Sequence, residues 1–551
     1  MGVPAGLLIW VLALLILLPG IQAGLVDRDE GWYAQVCREM IETGDWLVPR
    51  YLGRVWLAKP PLTYWLVAGS FSWLGIGEWQ ARLVPVLASS LNVVLVASLG
   101  AALFGRRAGQ LAGVLFVTAG LPAIVGRMLL TDPVMLLCTL AAVRLHWSMA
   151  QAAGAGRVPH LLAAGYWLFI GLGVLAKGPA TLVFAGAFGL ALLTTPGRRA
   201  WLWDRRYWAW LPVAVLVAVP WYAYIYRQAG GTFIRQFLGY EIVERLAGTP
   251  HGHGGPPGYY LLLSLAGLLP WTPLVPGALV IAFHRRRENH PWRPLLVWMA
   301  VPWLILELIH SKLPHYILPA YVPLLILLAG SLEESLRVRR VWADLADDER
   351  RVLNLWAWVA RIIGAVLVLM ALVLLAGAGP PAAGAALAAT GLVLLAGFAF
   401  AARLMRRRSL VSAGVAAVVT MVLFHAALGL GLLPAWEPTR LSRNLARAID
   451  AAAGDARPVY VCGYEEPSTF FYLRTPTSTL EPGSLAELAT TAPEGALLAV
   501  TQRVLDRLSP EIAETLKPRM LPETVRGFNY VKMSSETIRL FRFRRPPVTS
   551  D

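Results

Sequence analysis

The chain reads as a mostly α integral membrane protein: about thirteen transmembrane helices, interfacial helices on the outer face, and a small C-terminal α/β domain. Three observations predict this. Of 551 residues, 57% are hydrophobic and only 15% charged, whereas soluble domains carry about 25% charged residues. Apolar runs near the roughly 20 residues needed to span a bilayer recur as far as Pro434. Polar clusters then alternate between the two sides of those runs. Helices are the expected form, because backbone polar groups in lipid must be satisfied within the segment.

In chain order the expected spans are 6–24, 82–104, 109–126, 133–151, 160–176, 179–195, 208–226, 259–283, 294–310, 316–335, 354–377, 382–402 and 409–433. The first run lacks a strongly basic start and is followed by further spans, so it reads as a membrane helix rather than a signal peptide. Arg106-Arg107, Arg198-Arg199, Arg205-Arg206, Arg285-Arg286-Arg287 and Arg406-Arg407-Arg408 fall on one side. Such basic turns stay in the cytoplasm. Residues 25–80, 127–132, 227–258, 311–315 and everything after Pro434 then fall outside. The stretch 62–80 is apolar but short, which suits a re-entrant or surface-lying piece.

After Asp29, Trp32, Val36 and Met40 recur every four residues, as do Tyr33, Cys37 and Ile41. This pattern predicts an interfacial helix with its aromatic face in lipid, ended by Thr43-Gly44-Asp45. Beyond Pro434 the composition changes. Leu441–Ala453 reads as a helix; Val459–Cys462, Leu497–Val500 and Thr537–Phe543 read as strands. The division is therefore 1–433 in the membrane and 434–551 as a soluble domain.

The formal charge is +16. Its excess sits in cytoplasmic turns, which argues against nucleic acid as a partner and for a bilayer. Cys37, Cys138 and Cys462 show no pairing pattern. No Walker loop, HExxH, GxSxG or Rossmann fingerprint occurs in useful context. An outer-face enzyme without ATP needs a substrate activated beforehand, and a lipid-linked sugar meets that need.

The outer loops hold the candidate chemistry. Asp27-Arg28-Asp29-Glu30 follows the first span; its acids can hold a metal, orient a sugar or take a proton, or simply start a helix. Asp132 lies in a short loop with Arg127, ahead of Pro133, where an N-cap is the plain alternative. Lys59, Lys177 and Lys312 lie on the side that basic residues otherwise avoid, each before a chain-breaking element. Lysines at headgroup depth suit a phosphate or pyrophosphate. Nonspecific contact with anionic lipid is the alternative. His251 and His253, two apart, would hold a divalent metal only with help from elsewhere, such as Asp29. Glu241, Glu244 and Arg245 precede them.

Asp-Glu-Gly-Trp-Tyr (29–33), Met-Ile-Glu-Thr-Gly-Asp-Trp (40–46), Lys-Pro-Pro-Leu-Thr-Tyr-Trp (59–65), Leu-Thr-Asp-Pro (130–133), Leu-Ala-Lys-Gly-Pro (175–179) and Lys-Leu-Pro-His-Tyr-Ile-Leu-Pro (312–319) together resemble the polyprenyl-phosphate-dependent glycosyltransferases of the GT-C class. The resemblance is greatest to those that modify lipid A with aminoarabinose, and single motifs are shared with relatives of protein O-mannosyltransferases. It implies a GT-C bundle that moves 4-amino-4-deoxy-L-arabinose from undecaprenyl phosphate to a lipid A phosphate, on the periplasmic face of a bacterial inner membrane. Resistance to polymyxin-type peptides would follow. Asp29 and Asp132 would be the catalytic carboxylates. Lys59 would meet the donor phosphate, with Tyr33, Arg127, Lys177, Arg245, Lys312 and Tyr316 in binding roles. Where relatives often have Glu-Lys-Pro, this chain has Ala58-Lys59-Pro60. Transfer to protein or another glycan, and lipid transport without catalysis, are the competing functions.

Overall fold

The computed structural model describes residues 3–154, 157–195, 199–237, 239, 254–288, 291–338, 347–378, 380–407, 410–437, 440–454, 458–529, 531–532 and 534–543. Among them, eight helices are long and apolar enough to cross a membrane. A ninth arises if Tyr259–Gly267 and Thr272–Arg287, bent by 117°, count as one span. Ala5–Leu17 and Ala180–Leu193 are apolar but shorter. Among the described residues each of the thirteen apolar segments contains helix, and two of them are broken. The run 109–126 divides into Arg106–Thr118 and Gly120–Val125 at an extended Ala119. There the Gly120 N–H donates to Leu269 O at 2.9 Å, across to the second broken run. The two breaks thus share one backbone hydrogen bond and lie against protein, where irregular backbone at membrane depth is tolerated.

Small residues let the helices approach. Glu78–Phe104 and Arg106–Thr118 form a hairpin through Gly105, whose φ of +97° suits glycine. A Cβ on Gly109 would stand 2.4 Å from Ala97 O, so the two backbones touch.

The arginine-poor face begins with helix Asp29–Thr43, a hairpin of two-residue strands β1 (Arg50–Tyr51) and β2 (Arg54–Val55), and helix Leu62–Leu74. Leu52 and Gly53 both have positive φ, 50° and 75°, the turn that matches strand twist. Glu39 fixes the hairpin by accepting from Leu52 N–H (2.7 Å) and Gly53 N–H (3.0 Å). Leu62–Leu74 has 13 residues, too few to span; it packs against its two helical neighbours.

The aromatic face of Asp29–Thr43 does not lie in lipid. Tyr33, Val36, Cys37 and Met40 are buried inside the protein. Tyr33 packs on Tyr64 at 5.7 Å, and Trp32 on Trp56 at 5.3 Å. The period was right for a helix, but the cover is helix Leu62–Leu74 on one side and helix Pro467–Tyr472 on the other.

Residues from Leu441 onward build a five-stranded sheet in the order β4-β3-β5-β7-β6. The strands are β3 (Val459–Cys462), β4 (Thr477–Leu480), β5 (Leu497–Thr501), β6 (Met520–Asn529) and β7 (Ser534–Arg542). β3 pairs in parallel with β4 and β5; β7 runs antiparallel to β5 and β6. Helix Leu441–Ala453 buries Leu445 and Ile449 against it. The expected helix and three strands are all present; β4 and β6 are additional.

Replacing Gly109 by valine forces β-branched carbon into the hairpin contact. We expect Gly109→Val to cost about 1–3 kcal/mol, read as a lowered thermal unfolding midpoint in detergent; an unchanged midpoint would refute the close approach.

Candidate active site

Helix ends bring the outer-face charges together. Asp132 is the first residue of helix Asp132–Gly154, and Lys177 the last of helix His160–Lys177. A carboxylate at an N-terminus and an ammonium at a C-terminus both suit the helix dipole. Gly178, with φ +64°, and Pro179 then stop the second helix. Lys177 Nζ donates to Asp132 Oδ1 at 2.6 Å; the Asp132 side chain is buried and that of Lys177 partly so. His315 Nε2 lies 3.6 Å from Asp132 Oδ2. The Lys177 ammonium sits 4.5 Å from the Tyr316 ring centroid, a cation–π distance. His315 and Tyr316 come from the 3-10 turn Pro314–Ile317 ahead of helix Leu318–Val338.

Lys59 and Asp29 complete the group. Lys59 acts electrostatically on Asp132 and His315, and Asp29 on His315. Lys59 Nζ also donates to Ala58 O at 2.9 Å. Residues from three helix ends (Asp29, Asp132, Lys177), one loop (Lys59) and one 3-10 turn (His315, Tyr316) therefore share one electrostatic neighbourhood. Two ammonium groups (Lys59, Lys177) and the imidazole of His315 share this neighbourhood with two acids, so donors and acceptors for a polar substrate head are gathered in one place.

Other expected site residues are engaged elsewhere. Arg127 donates to the carbonyls of Ile16 (2.8 Å), Pro19 (3.4 Å) and Ala123 (3.1 Å) and meets His425 Nδ1 at 3.2 Å. It caps the end of the first helix rather than facing the Asp132 cluster. Lys312 Nζ donates to Glu307 Oε2 at 3.0 Å and to Pro256 O at 3.2 Å, so its charge is already matched. Glu307 also accepts from Gly258 and Tyr260 N–H, at 3.2 and 3.0 Å, at the start of helix Tyr259–Gly267. Tyr33 is core. Arg245, His251 and His253, with Glu241 and Glu244, lie outside the described residues. Among the described residues no three His, Cys, Asp or Glu side chains form a metal-holding group.

Three residues not singled out from the sequence matter here. His315 is one. The others are Glu30 and Arg82, a buried pair with Arg82 Nη2 2.6 Å from Glu30 Oε2 and Nε 2.8 Å from Oε1. Glu30 also accepts from Val26 N–H and Leu129 N–H, each at 2.7 Å. Burial pushes the Glu30 pKa up, but Arg82 and these N–H groups outweigh it and hold the carboxyl below its ordinary range. The pair thus locks the Asp29 turn to the loop leading into Asp132. The cue is the acid-rich loop Asp27-Arg28-Asp29-Glu30; the partner 52 residues away carries no signal.

Asp27 joins the outer helix to the C-terminal domain. It accepts from Ser468 N–H (2.8 Å), Ser468 Oγ (2.6 Å) and Ser442 Oγ (3.1 Å). Burial raises its pKa to about 6 despite those hydrogen bonds.

Residues 58–224 match the family described as dolichyl-phosphate-mannose-protein mannosyltransferase. The undecaprenyl phosphate-alpha-4-amino-4-deoxy-L-arabinose arabinosyl transferase of Enterobacter sp. (strain 638) is 31% identical over 373 residues, 66% of this chain and 63% of that protein. Its counterpart from Erwinia tasmaniensis is 35% identical over 326 residues, 58% of this chain and 57% of that one. These transferases are its relatives. The chain spans about three fifths of the length of the curated relatives it matches. The crystal structure of ArnT from Cupriavidus metallidurans bound to undecaprenyl phosphate has a TM-score of 0.72 at 23% identity, covering 98% of this chain and 97% of that one. The archaeal oligosaccharyltransferase AglB from Archaeoglobus fulgidus, with an inhibitory peptide and a dolichol-phosphate, has a TM-score of 0.52 at 12% identity, covering 97% and 74%. The last two likenesses establish a shared fold.

Two outcomes test the supports of the site. Glu30→Gln leaves Arg82 buried without its counter-charge, which we expect to cost about 3–5 kcal/mol; pairing it with Arg82→Met should recover much of that in thermal unfolding. Asp27 is neutralised more easily when folded than when free, so its contribution to docking is greatest at low pH and declines as pH rises through about 6. Hydrogen exchange of residues 467–472 should therefore quicken from about pH 5 to about pH 7, after correction for the intrinsic rate, and Asp27→Asn should flatten the trend.

Proposed function

We propose that this protein is a polyprenyl-phosphate-dependent inverting glycosyltransferase. It moves 4-amino-4-deoxy-L-arabinose from undecaprenyl phosphate to a phosphate of lipid A and so protects the cell from polymyxin-type peptides. The observation that carries this reading is the gathering of Asp29, Lys59, Asp132, Lys177, His315 and Tyr316 at one end of an apolar bundle. The relatives' names supply the sugar and the carrier. We further propose thirteen membrane passes in a GT-C-type bundle over 1–433, a periplasmic domain over 434–551, and an inner-membrane location with the site facing the periplasm. The arginine turns support that sidedness.

The residues suit the chemistry. An oxygen of the acceptor phosphate attacks the anomeric carbon, and the bond from that carbon to the donor phosphate breaks, releasing undecaprenyl phosphate. The acceptor is already anionic near neutral pH, so strong base catalysis is dispensable. Lys59 meets the charge arriving on the leaving phosphate. Asp132 is held by Lys177 and His315; its task is to orient the ammonium of the one and the imidazole of the other. Asp29 is then the carboxylate for the sugar, pairing with its ammonium or with the positive charge developing at the anomeric carbon. A bound divalent metal would add Lewis acidity at the phosphates, with His251, His253 and Asp29 as the residues to examine.

The mannosyltransferase match over 58–224 supports a second reading, transfer to a hydroxyl of protein or another glycan. A hydroxyl acceptor needs a base. Purified protein incubated with the undecaprenyl-phosphate aminosugar and lipid A should yield modified lipid A by mass spectrometry. A chelator arm reports on metal. Asp29→Asn and Lys59→Ala should each lower the rate by about 10²-fold or more. Lipid A left unmodified by the wild-type protein would favour the second reading, and full activity in both variants would remove the assigned site.

A further inference from the structure

A cavity of about 800 Å³ opens between the first outer helix and the C-terminal sheet. It contains none of Lys59, Asp132, Lys177 or His315, but its wall includes Arg28, next to Asp29. One wall is aromatic: Trp32, Tyr51 and Phe470, with Tyr51 and Phe470 edge to face at 6.5 Å. Facing it are Thr477 and Thr479 of the edge strand β4, in register with Val459 and Val461 on the sheet face that also carries Phe470. Arg28, Arg54 and Lys532 bring three positive charges, against the two carboxylates of Glu465 and Glu466. Glu466 stands 3.5 Å from Arg28, accepts from Asn529 Nδ2 at 3.2 Å, and is buried.

The position in the sheet is a second, independent indication. Gly463 and Glu466 follow the carboxyl end of β3. From β3 the chain moves to β4 on one side and later to β5 on the other. Ligands of open α/β sheets gather outside the carboxyl ends of strands where the order reverses in this way. Gly463, at φ +83°, permits the closeness: a Cβ there would lie 2.4 Å from Thr501 Oγ1, at the end of β5.

We propose that this cavity binds a phosphorylated saccharide, the polar head of the acceptor. Aromatic faces receive the apolar faces of sugar rings, hydroxyls exchange hydrogen bonds with the ring substituents, and the cations take the phosphate. Arg28 joins the cavity to the Asp29 turn, so an acceptor held here by one part of its head presents another part to the transfer site. The acceptor assignment rests on the proposed function; occupation by a saccharide phosphate does not. A free sugar phosphate shares the same chemistry, so the test separates the two.

Binding of lipid A in mixed micelles, and of soluble glucosamine 1-phosphate, is measured on the full-length protein and three variants. In Arg54→Ala/Lys532→Ala, two exposed cations are lost; in Thr479→Trp, on the sheet face that carries Phe470, the cavity is filled. Arg474→Ala/Lys517→Ala removes two exposed cations elsewhere on the same domain. Lipid A affinity should fall about tenfold in the first two variants and stay unchanged in the third, and glucosamine 1-phosphate should compete with lipid A. Equal lipid A affinity in all four proteins overturns the proposal, as does glucosamine 1-phosphate that binds without competing. If lipid A binding depends on Arg54 and Lys532 while no aminosugar is ever transferred, the cavity stands and the proposed function falls. If transfer occurs while binding is indifferent to these residues, the proposed function stands and the cavity loses its ligand.

Discussion

The ion pair between Glu30 and Arg82 is the contact on which the outer face depends. Arg82 sends its fork to both oxygens of Glu30 and to the carbonyls of Ile21, Ala23 and Gly24. It thereby satisfies the backbone where the first helix gives way to the outer loop. Glu30 spends its remaining capacity on Val26 and Leu129 N–H. Burying two charges is costly, and their attraction offsets that cost only with full hydrogen bonding. Here the bonding is full, so one geometry is selected. Asp29 precedes Glu30 and Asp132 follows Leu129 by three residues; the pair sets the distance between the two proposed catalytic carboxylates.

Helix ends do the rest. In a bundle whose helices stop near one surface, unpaired N–H and C=O groups collect there. Asp29 and Asp132 stand at amino ends and Lys177 at a carboxyl end, so each charge lies where the backbone field favours it. At the apolar margin these fields are screened less than in water. The result is a cluster whose charges are positioned before any substrate arrives, which is the condition for electrostatic catalysis.

Much of this was legible from the residues. Topology alone put Asp29, Lys59, Asp132, Lys177 and Tyr316 on one side, because each interrupts an apolar run on the arginine-poor face. Which way each side chain turns was not legible. Lys312 reads like Lys177, yet Glu307, across the break after Leu308, takes its charge. Arg127 and Asp132 share a loop, yet the arginine turns back to the first helix's carbonyls. The period of residues 32–41 fixes a helix but cannot distinguish lipid from protein as its cover. β4 is a polar edge strand and β6 carries Pro522, Glu523 and Arg526, so neither shows the apolar alternation that marks β3 and β5.

The sheet formed after Leu441 is a structural part of the same face as the Asp29 turn. Arg38 donates to Phe471 O (2.9 Å) and Leu473 O (2.6 Å), carbonyls at the end of helix Pro467–Tyr472 that lack partners within it. Leu25 N–H donates to Tyr472 Oη at 2.7 Å and Gly24 N–H to Glu437 at 3.1 Å. Arg443 reaches both Glu437 (2.7 Å) and Glu78 (3.3 Å), the latter at the start of the helix that carries Arg82. Every one of these contacts falls on segments flanking Asp29 or Arg82. A domain joined only by a flexible linker would leave the Asp29 turn to fray with its loop. Clamped from above by the sheet domain and from below by Arg82, that turn has no slack, and its carboxylate keeps its place without a substrate to hold it.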